Sequence, residues 1–325
     1  MVSNVAVLAP EPTFGGYVAC PSSSQCTAVG AAGEEATFNP TSSGTPNVAK
    51  LAETSWTGLS CPSVGQCTAV SIGGIEETFN PAAPAGGTAV TINTEDGLHA
   101  VSCPSTTQCT TVGEAATWLT FDPMAFSTPL SASFGPRETQ PSALSCPSLT
   151  QCTEAASFVN TFNPTQPGAP VSVTASGIEP DLLACPTVSQ CTGVGQEGAV
   201  TFNPTVPGTV KAVKNYTGDL TGIACPSATQ CTAISAAEAV TFDPRSTSSA
   251  SKTTIAPGEA LASVSCPSAS QCTAVDLAGH ELTFRPSAAA APSTSARKLA
   301  EAVKACNRIR KRSKRASCIR AAEHR

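Results

Sequence analysis

Residues 20–27 read Cys20-Pro21-Ser22-Ser23-Ser24-Gln25-Cys26-Thr27, and this unit decides the fold because it returns six more times along the chain. All seven copies follow the pattern Cys-Pro-Ser/Thr-x-x-Gln-Cys-Thr, and their first cysteines lie 39 to 43 positions apart. The copies begin at Cys20, Cys61, Cys103, Cys146, Cys185, Cys225 and Cys266. A repeat of this period predicts one of the repetitive architectures, such as a solenoid or a propeller.

Each copy contains signals for four short strands. One apolar segment ends at the first cysteine, a second begins at the next cysteine after a Pro-Ser-x-x-Gln turn, and a third ends in Thr-Phe. An Asn-Pro or Asp-Pro stop then precedes a fourth segment, placed at residues 210–213 in the fifth copy. Four strands in about 41 residues match one propeller blade. The sequence therefore predicts an all-β fold, a seven-bladed β-propeller of four-stranded blades over residues 1–286.

The two ends of the repeat array are incomplete in a complementary way. The seventh copy stops at Pro286 without a fourth strand, and residues 4–8 form an apolar segment that precedes the first copy. We expect this N-terminal strand to pair with the last blade and close the ring, because closure removes an exposed sheet edge.

The cysteine pattern predicts disulfides. Two cysteines separated by five residues stand at the two ends of a predicted hairpin, where opposed residues are close enough to be bridged. We predict seven bridges within blades: Cys20–Cys26, Cys61–Cys67, Cys103–Cys109, Cys146–Cys152, Cys185–Cys191, Cys225–Cys231 and Cys266–Cys272. The alternative, zinc held by thiolates, needs four converging ligands and usually shorter spacers or nearby histidines.

So many disulfides predict an oxidising compartment, and hence a secreted or cell-surface protein. The chain opens without the charged and apolar regions of a signal peptide, so we expect that segment to be absent from it. No run of about 18 apolar residues is present, and we expect no transmembrane segment.

The C-terminal segment differs from the rest in charge. Residues 1–295 hold 7 basic and 21 acidic side chains, a net charge of −14, whereas residues 296–325 hold 11 basic and 2 acidic ones, a net charge of +9. We predict an Ala/Ser/Pro linker at 287–296 and a basic helical hairpin at 297–325, closed by a disulfide between Cys306 and Cys318. The tail would meet a cell-envelope polyanion or dock on the acidic propeller. We expect no nucleic-acid partner and a monomer.

Residues repeated in every copy are assigned to structure. The recurring glutamine, exemplified by Gln25, is predicted to bond backbone groups in its turn, and the recurring phenylalanine, exemplified by Phe38, to pack between blades. Acidic residues recur before Thr-Phe, and we expect them to be solvated. They are Glu34, Glu35, Glu76, Glu77, Glu114, Glu197, Glu238 and Glu281.

Function is sought where the copies differ. The fourth copy carries Glu154 where the others have Ala, Gly or Thr, and it follows a distinctive connection that contains Arg137 and Glu138. One interpretation is that this blade has diverged and Glu154 is solvated. The other is a ligand site around blades three to five in which Arg137, Glu138, Glu154 and Asp181 make polar contacts.

The segments at residues 101–105 and 272–275 resemble repeats in extracellular propeller proteins of high-GC bacteria, loosely related to sialidase-type and photosystem-assembly-factor-like propellers. The resemblance covers residues 4–286 and implies a scaffold used for binding at the cell surface. The Ser-x-Asp-x-Gly-x-Thr-Trp box of sialidase-type blades is missing, as are an Arg triad and a Tyr–Glu pair. Glycosidase activity is therefore not implied.

Catalytic chemistry finds little support in the sequence. General acid–base or nucleophilic work usually needs His or clustered carboxylates, and His99, His280 and His324 are scattered. We expect no cofactor and no metal. The favoured function is a non-catalytic binding or adhesion module that recognises a glycan or a protein. The alternatives are a polysaccharide-acting hydrolase or lyase and a structural spacer of a surface protein.

Overall fold

Short β-strands in seven sheets make up the part of the chain that the computed structural model describes. The described residues are 2–7, 16–30, 32–42, 44–93, 97–125, 127–134, 140–156, 158–195, 198–211, 219–246, 250–256, 260–287 and 318. Each sheet contains one copy of the repeat, so the seven sheets are the predicted seven blades. Blades are numbered here by copy, from blade 1 at Cys20 to blade 7 at Cys266.

The strands follow the repeat closely. The N-terminal strand and blades 1 and 2 comprise β1 (Val2–Val7), β2 (Tyr17–Ser22), β3 (Gln25–Val29), β4 (Glu34–Phe38), β5 (Asn47–Lys50), β6 (Trp56–Ser63), β7 (Gln66–Ser71), β8 (Ile75–Phe79) and β9 (Thr88–Thr91). Blades 3 and 4 comprise β10 (Leu98–Ser105), β11 (Gln108–Gly113), β12 (Thr117–Phe121), β13 (Leu130–Ser133), β14 (Ala143–Ser148), β15 (Gln151–Ala155), β16 (Val159–Phe162) and β17 (Val171–Ser176).

The remaining blades continue in the same order. Blade 5 comprises β18 (Leu182–Thr187), β19 (Gln190–Gly195) and β20 (Gly198–Phe202), and is followed by β21 (Gly208–Lys211). Blades 6 and 7 comprise β22 (Leu220–Ser227), β23 (Gln230–Ser235), β24 (Glu238–Phe242), β25 (Ser251–Thr254), β26 (Leu261–Ser268), β27 (Gln271–Asp276) and β28 (His280–Phe284). A single 3-10 turn, Pro84–Gly86, is the one short helical element of blade 2.

The first strand of each blade lies innermost. These strands are β2, β6, β10, β14, β18, β22 and β26, and each contacts its two neighbours around a closed circle that includes the contact between β26 and β2. The other strands of each blade follow outward in sequence order. The seven inner strands therefore surround a central channel.

The ring closes as predicted. Strand β1 pairs antiparallel with β28, from Val2 opposite Phe284 to Val7 opposite His280, and becomes the outermost strand of blade 7. The first strand and the last copy of the repeat thus share one sheet, and β28 has a paired neighbour on both sides.

Blade 5 departs from the predicted four antiparallel strands. Strand β21 pairs in parallel with β17 of blade 4, with Val173 opposite Gly208 and Ser176 opposite Lys211. In the other five blades with a fourth strand of their own, that strand begins nine positions after the recurring phenylalanine, but β21 begins only six after Phe202. The shorter connection explains why this segment does not return along β20. Of the predicted strand at 210–213, only residues 210 and 211 are described.

All seven predicted intra-blade disulfides are present, with Cα atoms 4.0 to 4.1 Å apart. In blade 1 the register moves from Ala19 opposite Thr27 to Ser22 opposite Gln25, so Cys20 and Pro21 together face Cys26. This is a β-bulge, a position that suits proline because its missing N–H is not needed by the ladder. Thiolate zinc sites are thereby excluded for these fourteen cysteines.

The recurring glutamine does bond backbone, but in the next blade. Each side-chain amide donates to a main-chain oxygen in the following Pro-Ser-x-x-Gln turn at 2.7 to 2.9 Å. The seven bonds run from Gln25 to Val64, Gln66 to Thr106, Gln108 to Leu149, Gln151 to Val188, Gln190 to Ala228, Gln230 to Ala269 and Gln271 to Ser23. They form an unbroken belt around the ring.

Each blade also contains a pair of threonine hydroxyls facing each other across its second and third strands. The oxygens are 2.7 to 3.2 Å apart, and the sequence reasoning assigned these threonines no role. The pairs are Thr27–Thr37, Thr68–Thr78, Thr110–Thr120, Thr153–Thr161, Thr192–Thr201, Thr232–Thr241 and Thr273–Thr283. Each pair satisfies two polar groups inside the blade stack.

The core consists of seven clusters between blades. Phe79 and Cys67 of blade 2, for example, pack with Val29 of blade 1, and Phe162 and Cys152 of blade 4 pack with Val112 of blade 3. The predicted inter-blade role of the recurring phenylalanine is confirmed.

The linker at 287–296 and the tail at 297–325 lie outside the described residues, apart from Ser287 and Cys318. Cys318 is helical and disulfide-bonded. Cys306 is not described, so the helical hairpin and the Cys306–Cys318 bridge stay predictions. None of the helices in the described part of the chain is long and apolar enough to cross a membrane.

Candidate functional site

The central channel holds a large concave surface in the described part of the chain. At the end where the inner strands begin, it opens into a cavity of about 500 Å³, called here the channel mouth. Its polar lining side chains are Tyr17, Thr57, His99, Ser142, Thr221 and Ser263. A second cavity of about 350 Å³ extends toward the disulfides at the other end. The mouth lies in the size range of sites for small molecules.

The channel mouth contrasts with the acidic body in charge. Among the described residues that line it, none is Asp, Glu, Lys or Arg. The apolar part of the lining comes from residues such as Leu182 and Leu277. An uncharged ligand is therefore the kind that this surface can hold without leaving a charge unpaired.

The hydroxyl groups at the mouth are already oriented by main-chain partners. Thr57 Oγ1 donates to the carbonyl of Leu98 at 2.6 Å, and Ser142 Oγ donates to the carbonyl of Asp181 at 2.9 Å. Since each hydroxyl has one hydrogen and donates it to the main chain, each oxygen can act only as an acceptor toward a ligand. These two bonds also tie neighbouring blades together at the rim.

Two ring side chains complete the mouth. Tyr17 is 39 % exposed, and burial of the rest of its side chain raises the pKa of its phenol, which keeps it protonated as a donor. His99 lies with its Nε2 atom 4.0 Å from Oε1 of Glu114, and no hydrogen-bond partner of Nε2 is found among the described residues. The exposed part of Tyr17 can therefore meet a ligand, whereas the Nε2 atom of His99 is buried. The sequence pattern points to neither residue, because His99 is isolated from the other histidines along the chain.

Deeper in the channel, serine hydroxyls satisfy main-chain amides of the next blade. Ser60 accepts from the Cys103 N–H, Ser102 from Cys146, Ser145 from Cys185 and Ser265 from Cys20, at 3.0 to 3.1 Å. Alanine replaces the serine at Ala19, Ala184 and Ala224. The second channel cavity is lined by these alanines and by Cys61, Cys225 and Cys266. In four of the seven blades, the inner strand thus carries a serine hydroxyl deeper in the channel than the mouth.

The four residues of the predicted ligand site divide as follows. Arg137 and Glu138 lie outside the described residues. Asp181 borders the mouth and lines, with Asp219, a small cavity of about 110 Å³ between blades 5 and 6. Burial and the nearby Glu179 raise the pKa of Asp181. Glu154 lies elsewhere, inside the stack of blades, and the ligand site around blades three to five stays a prediction.

Glu154 is not solvated, which corrects the simpler of the two interpretations. It is 1 % exposed, opposite Asn160 on the neighbouring strand. The Asn160 amide donates to its Oε1 atom at 2.6 Å, and Ser172 donates in turn to the Asn160 oxygen. Burial raises the pKa of Glu154 to about 7, although the Asn160 bond lowers it. In blade 4 the buried Glu154 is thus paired with the partly buried Asn160, and the contacts of Glu154 are with its own blade.

The expectation that the acidic residues before Thr-Phe are solvated is also wrong for half of them. Glu35, Glu76, Glu77 and Glu281 are 0 to 5 % exposed, because each lies within a strand (β4, β8 or β28) with its side chain inside the stack of blades. Glu197 lies outside the described residues.

One histidine is held by a buried carboxylate. Asp276, 1 % exposed, accepts the main-chain N–H groups of Ala278 and His280 and lies 2.8 Å from Nδ1 of His280. This contact orients the His280 ring at the turn beside Leu277. Across the described residues, no group of three or more His, Cys, Asp or Glu side chains is placed to hold a metal ion.

Comparison with known proteins defines the class. No protein-family model matches the chain, and no curated protein matches its sequence. The fold is shared by solved propellers at 10 % identity or less, so the likeness shows a seven-bladed β-propeller and nothing about its ligand.

Three of the similar structures illustrate this. U3-55K matches with a TM-score of 0.73 and 8 % identity, over 87 % of this chain and 98 % of that one. The β-propeller domain of Myceliophteria thermophila Cps50 (Swd1) matches at 0.72 and 10 %, over 88 % and 99 %. The WD40 repeats of RRP9 match at 0.73 and 9 %, over 87 % and 98 %.

Proposed function

We propose that this chain is a non-catalytic binding module of the cell exterior whose channel mouth takes an uncharged glycan. The observation that carries the proposal is the composition of the mouth. A cavity of about 500 Å³ in a strongly acidic body is lined, as far as the structure describes it, by hydroxyls, one histidine, one tyrosine and aliphatic groups, with no acidic or strongly basic side chain.

Each component suits a sugar. Fixed hydroxyl oxygens on Thr57 and Ser142 accept hydrogen bonds from sugar hydroxyls, and the phenol of Tyr17 supplies a donor. The half-exposed ring of Tyr17 offers a flat apolar surface for the C–H face of a pyranose. Because the rim is held by hydrogen bonds between blades, little ordering is needed when the ligand binds.

The disulfides support the proposed location. Seven bridges in the described chain are typical of proteins that fold in an oxidising compartment, which supports a secreted or surface protein. The basic segment at 297–325 would then tether the propeller to an anionic envelope polymer. The tail has a net charge of +9 and the body one of −14, and these opposite charges support a competing arrangement in which the tail docks on the propeller.

The test is binding of the full chain to an array of neutral and acidic glycans, beside Tyr17→Ala and the matched control Val48→Ala. Val48 is 49 % exposed on the outer strand of the same blade. We expect binding to neutral glycans, a loss of at least tenfold in Tyr17→Ala and no change in Val48→Ala. Binding only to proteins, equal binding by Tyr17→Ala, or release of reducing ends from a polysaccharide would each overturn the proposal. Deletion of residues 297–325 should leave glycan binding intact and abolish retention on wall polymer.

A further inference from the structure

Three of the buried glutamates occupy the same position in three consecutive blades. Glu35, Glu76 and Glu281 each lie three residues before the recurring phenylalanine and are 0, 3 and 0 % exposed. They belong to blades 1, 2 and 7, which are adjacent because the ring is closed. The equivalent residues of blades 3 to 6 are Trp118, Val159, Ala199 and Ala239.

Each of the three carboxyls faces the next blade. Glu35 lies opposite Val29, Glu76 opposite Val70 and Glu281 opposite Val275 on the neighbouring strand of its own blade. Opposed residues of an antiparallel pair share one face of the sheet. Those three valines pack into the clusters of the following blade, with Trp56, Leu98 and Val18 respectively. The carboxyls are therefore in the interfaces of blades 1 and 2, 2 and 3, and 7 and 1.

Their hydrogen-bond support is a threonine of the same strand. Thr37 donates to Glu35, Thr78 to Glu76 at 3.1 Å and Thr283 to Glu281 at 3.0 Å. At Glu35, the one hydroxyl supplies much less stabilisation to a buried carboxylate than water does. The Oε2 atom of Glu35 has no partner among the described residues.

Positive charge is scarce around these interfaces. The connections that lead into them, residues 8–15, 51–55 and 92–97, contain no Lys or Arg. The titratable groups carried by the packed elements are Tyr17 on β2, Glu77 on β8 and His99 on β10; Glu77 accepts the Ala52 N–H and His99 lies beside Glu114. Lys50 of β5 is paired with the exposed Glu53. Within the described chain, none of the ion pairs involves Glu35 or Glu76.

Burial under these conditions disfavours the ionised form. It raises the pKa of Glu35, Glu76 and Glu281 to about 7 in each case, while the threonine bond lowers it and Glu77 adds to the rise at Glu76. The interfaces of blades 4 and 5, 5 and 6, and 6 and 7 have Val159, Ala199 and Ala239 at the same position. The interface of blades 3 and 4 contains Trp118 together with Glu154, and is left out of the comparison for that reason.

We propose that these three carboxyls make one side of the propeller ring sensitive to pH. The interfaces of blades 7 and 1, 1 and 2, and 2 and 3 are tight when the carboxyls are protonated and loosen when the carboxyls ionise. The interfaces from blade 4 to blade 7 lack the carboxyl and stay closed at both pH values. The inference depends on the fold alone and does not require the channel mouth to bind a glycan.

The test is hydrogen exchange of the full chain followed by mass spectrometry at pH 5.5 and pH 8.5, with rates corrected for the intrinsic effect of pH. We expect protection of β2, β6 and β26 to fall at least tenfold at the higher pH, and that of β18 and β22 to stay within a factor of two. The triple variant Glu35→Gln, Glu76→Gln, Glu281→Gln should lose this difference. The control Glu53→Gln, Glu179→Gln, Glu238→Gln has the same change in charge, at two exposed positions and at the half-exposed Glu238, and should retain it.

Equal protection of the two halves at pH 8.5 would overturn the proposal, and so would a difference that survives in the triple variant. If the triple variant does not fold, the comparison of the two halves within the unmodified chain still decides, together with the single variant Glu35→Gln. That variant should restore protection only around the interface of blades 1 and 2.

Discussion

The side-chain amide of Gln271 in the last blade donates to the main-chain oxygen of Ser23 in the first, with 2.8 Å between nitrogen and oxygen. The two residues are 248 positions apart, and their bond completes the belt that the other six glutamines form between successive blades. In the described structure no disulfide joins blade 7 to blade 1, so the contact between them is non-covalent. Three contacts therefore close the ring between blade 7 and the N-terminal residues: this bond, the pairing of β1 with β28, and the Ser265–Cys20 bond.

Gln271→Ala should therefore have a local effect that the same change elsewhere lacks. We expect a loss of about 1 kcal/mol in the free energy of unfolding, the usual worth of one hydrogen bond, both for it and for Gln108→Ala. Only Gln271→Ala should increase hydrogen exchange in β27 and β28. Denaturant unfolding and exchange measured on the same two variants check this, and an equal exchange profile would contradict the role in closure.

The disulfides should contribute to stability blade by blade. Replacing Cys225 and Cys231 together by alanine removes a bridge that spans six positions, which costs about 2 kcal/mol by the chain-entropy model. Guanidinium unfolding measures the loss, with Cys103 and Cys109 replaced together as the matched case in another blade. Peptide mapping of the unmodified chain should find each bridge within one repeat, and any bridge between repeats would contradict the fold.

The paired threonines allow a test of buried hydroxyls. Thr232→Val or Thr241→Val alone leaves the partner hydroxyl unpaired in a site 0 to 1 % exposed, and each should cost about 1 to 2 kcal/mol. The double variant should cost less than the sum of the two, because both polar groups are then gone. A double-mutant cycle by denaturant unfolding checks the difference, and simple additivity would show that the two hydroxyls do not depend on each other.

Stability should fall between about pH 4.5 and pH 7. A free glutamate has a pKa near 4.5, and burial raises that of Glu35 to about 7, so the folded chain binds its proton more tightly than the unfolded chain. The stabilising effect of protonation is complete below the unfolded value and is lost as the pH rises toward 7. Glu35→Gln should be more stable than the unmodified chain at pH 8, by on the order of 2 to 3 kcal/mol.

At pH 4 the same substitution should give no advantage. Guanidinium unfolding at the two pH values checks the sign, with Glu53→Gln as the exposed control, since Glu53 is 82 % exposed. A gain that is equal at both pH values would show that the effect does not come from ionisation of Glu35.

Much of the fold could be predicted because the seven copies repeat every feature that a blade needs. The cysteine spacing predicts the hairpin and its bridge, and the missing fourth strand of blade 7 predicts the closing role of β1. Residue-level partners were harder. A glutamine that is repeated in every blade could bond its own blade or the next one with the same regularity. The repeat pattern alone therefore cannot distinguish a bond within a blade from a bond between blades.

The buried acids were missed for a reason of register. Placing Glu35 and Glu281 in turns treats them as solvated, whereas two residues later each strand has a threonine that faces the same way, and that spacing was the available signal. The parallel pairing of β21 depends on a connection three residues shorter than its equivalents. The channel mouth could not be predicted, because Tyr17 and His99 are brought together only by the closed ring.

The short span of each bridge bears on how the chain acquires its sulfur pairs. Cys20 and Cys26 are six positions apart, and the next cysteine, Cys61, follows 35 positions later. As a growing chain enters an oxidising compartment, the correct thiol reaches its partner before any competitor has emerged. If the chain is exported as proposed, vectorial delivery favours native pairing at every step, and folding should need little help from a disulfide isomerase even though sixteen thiols could be mismatched in a vast number of ways.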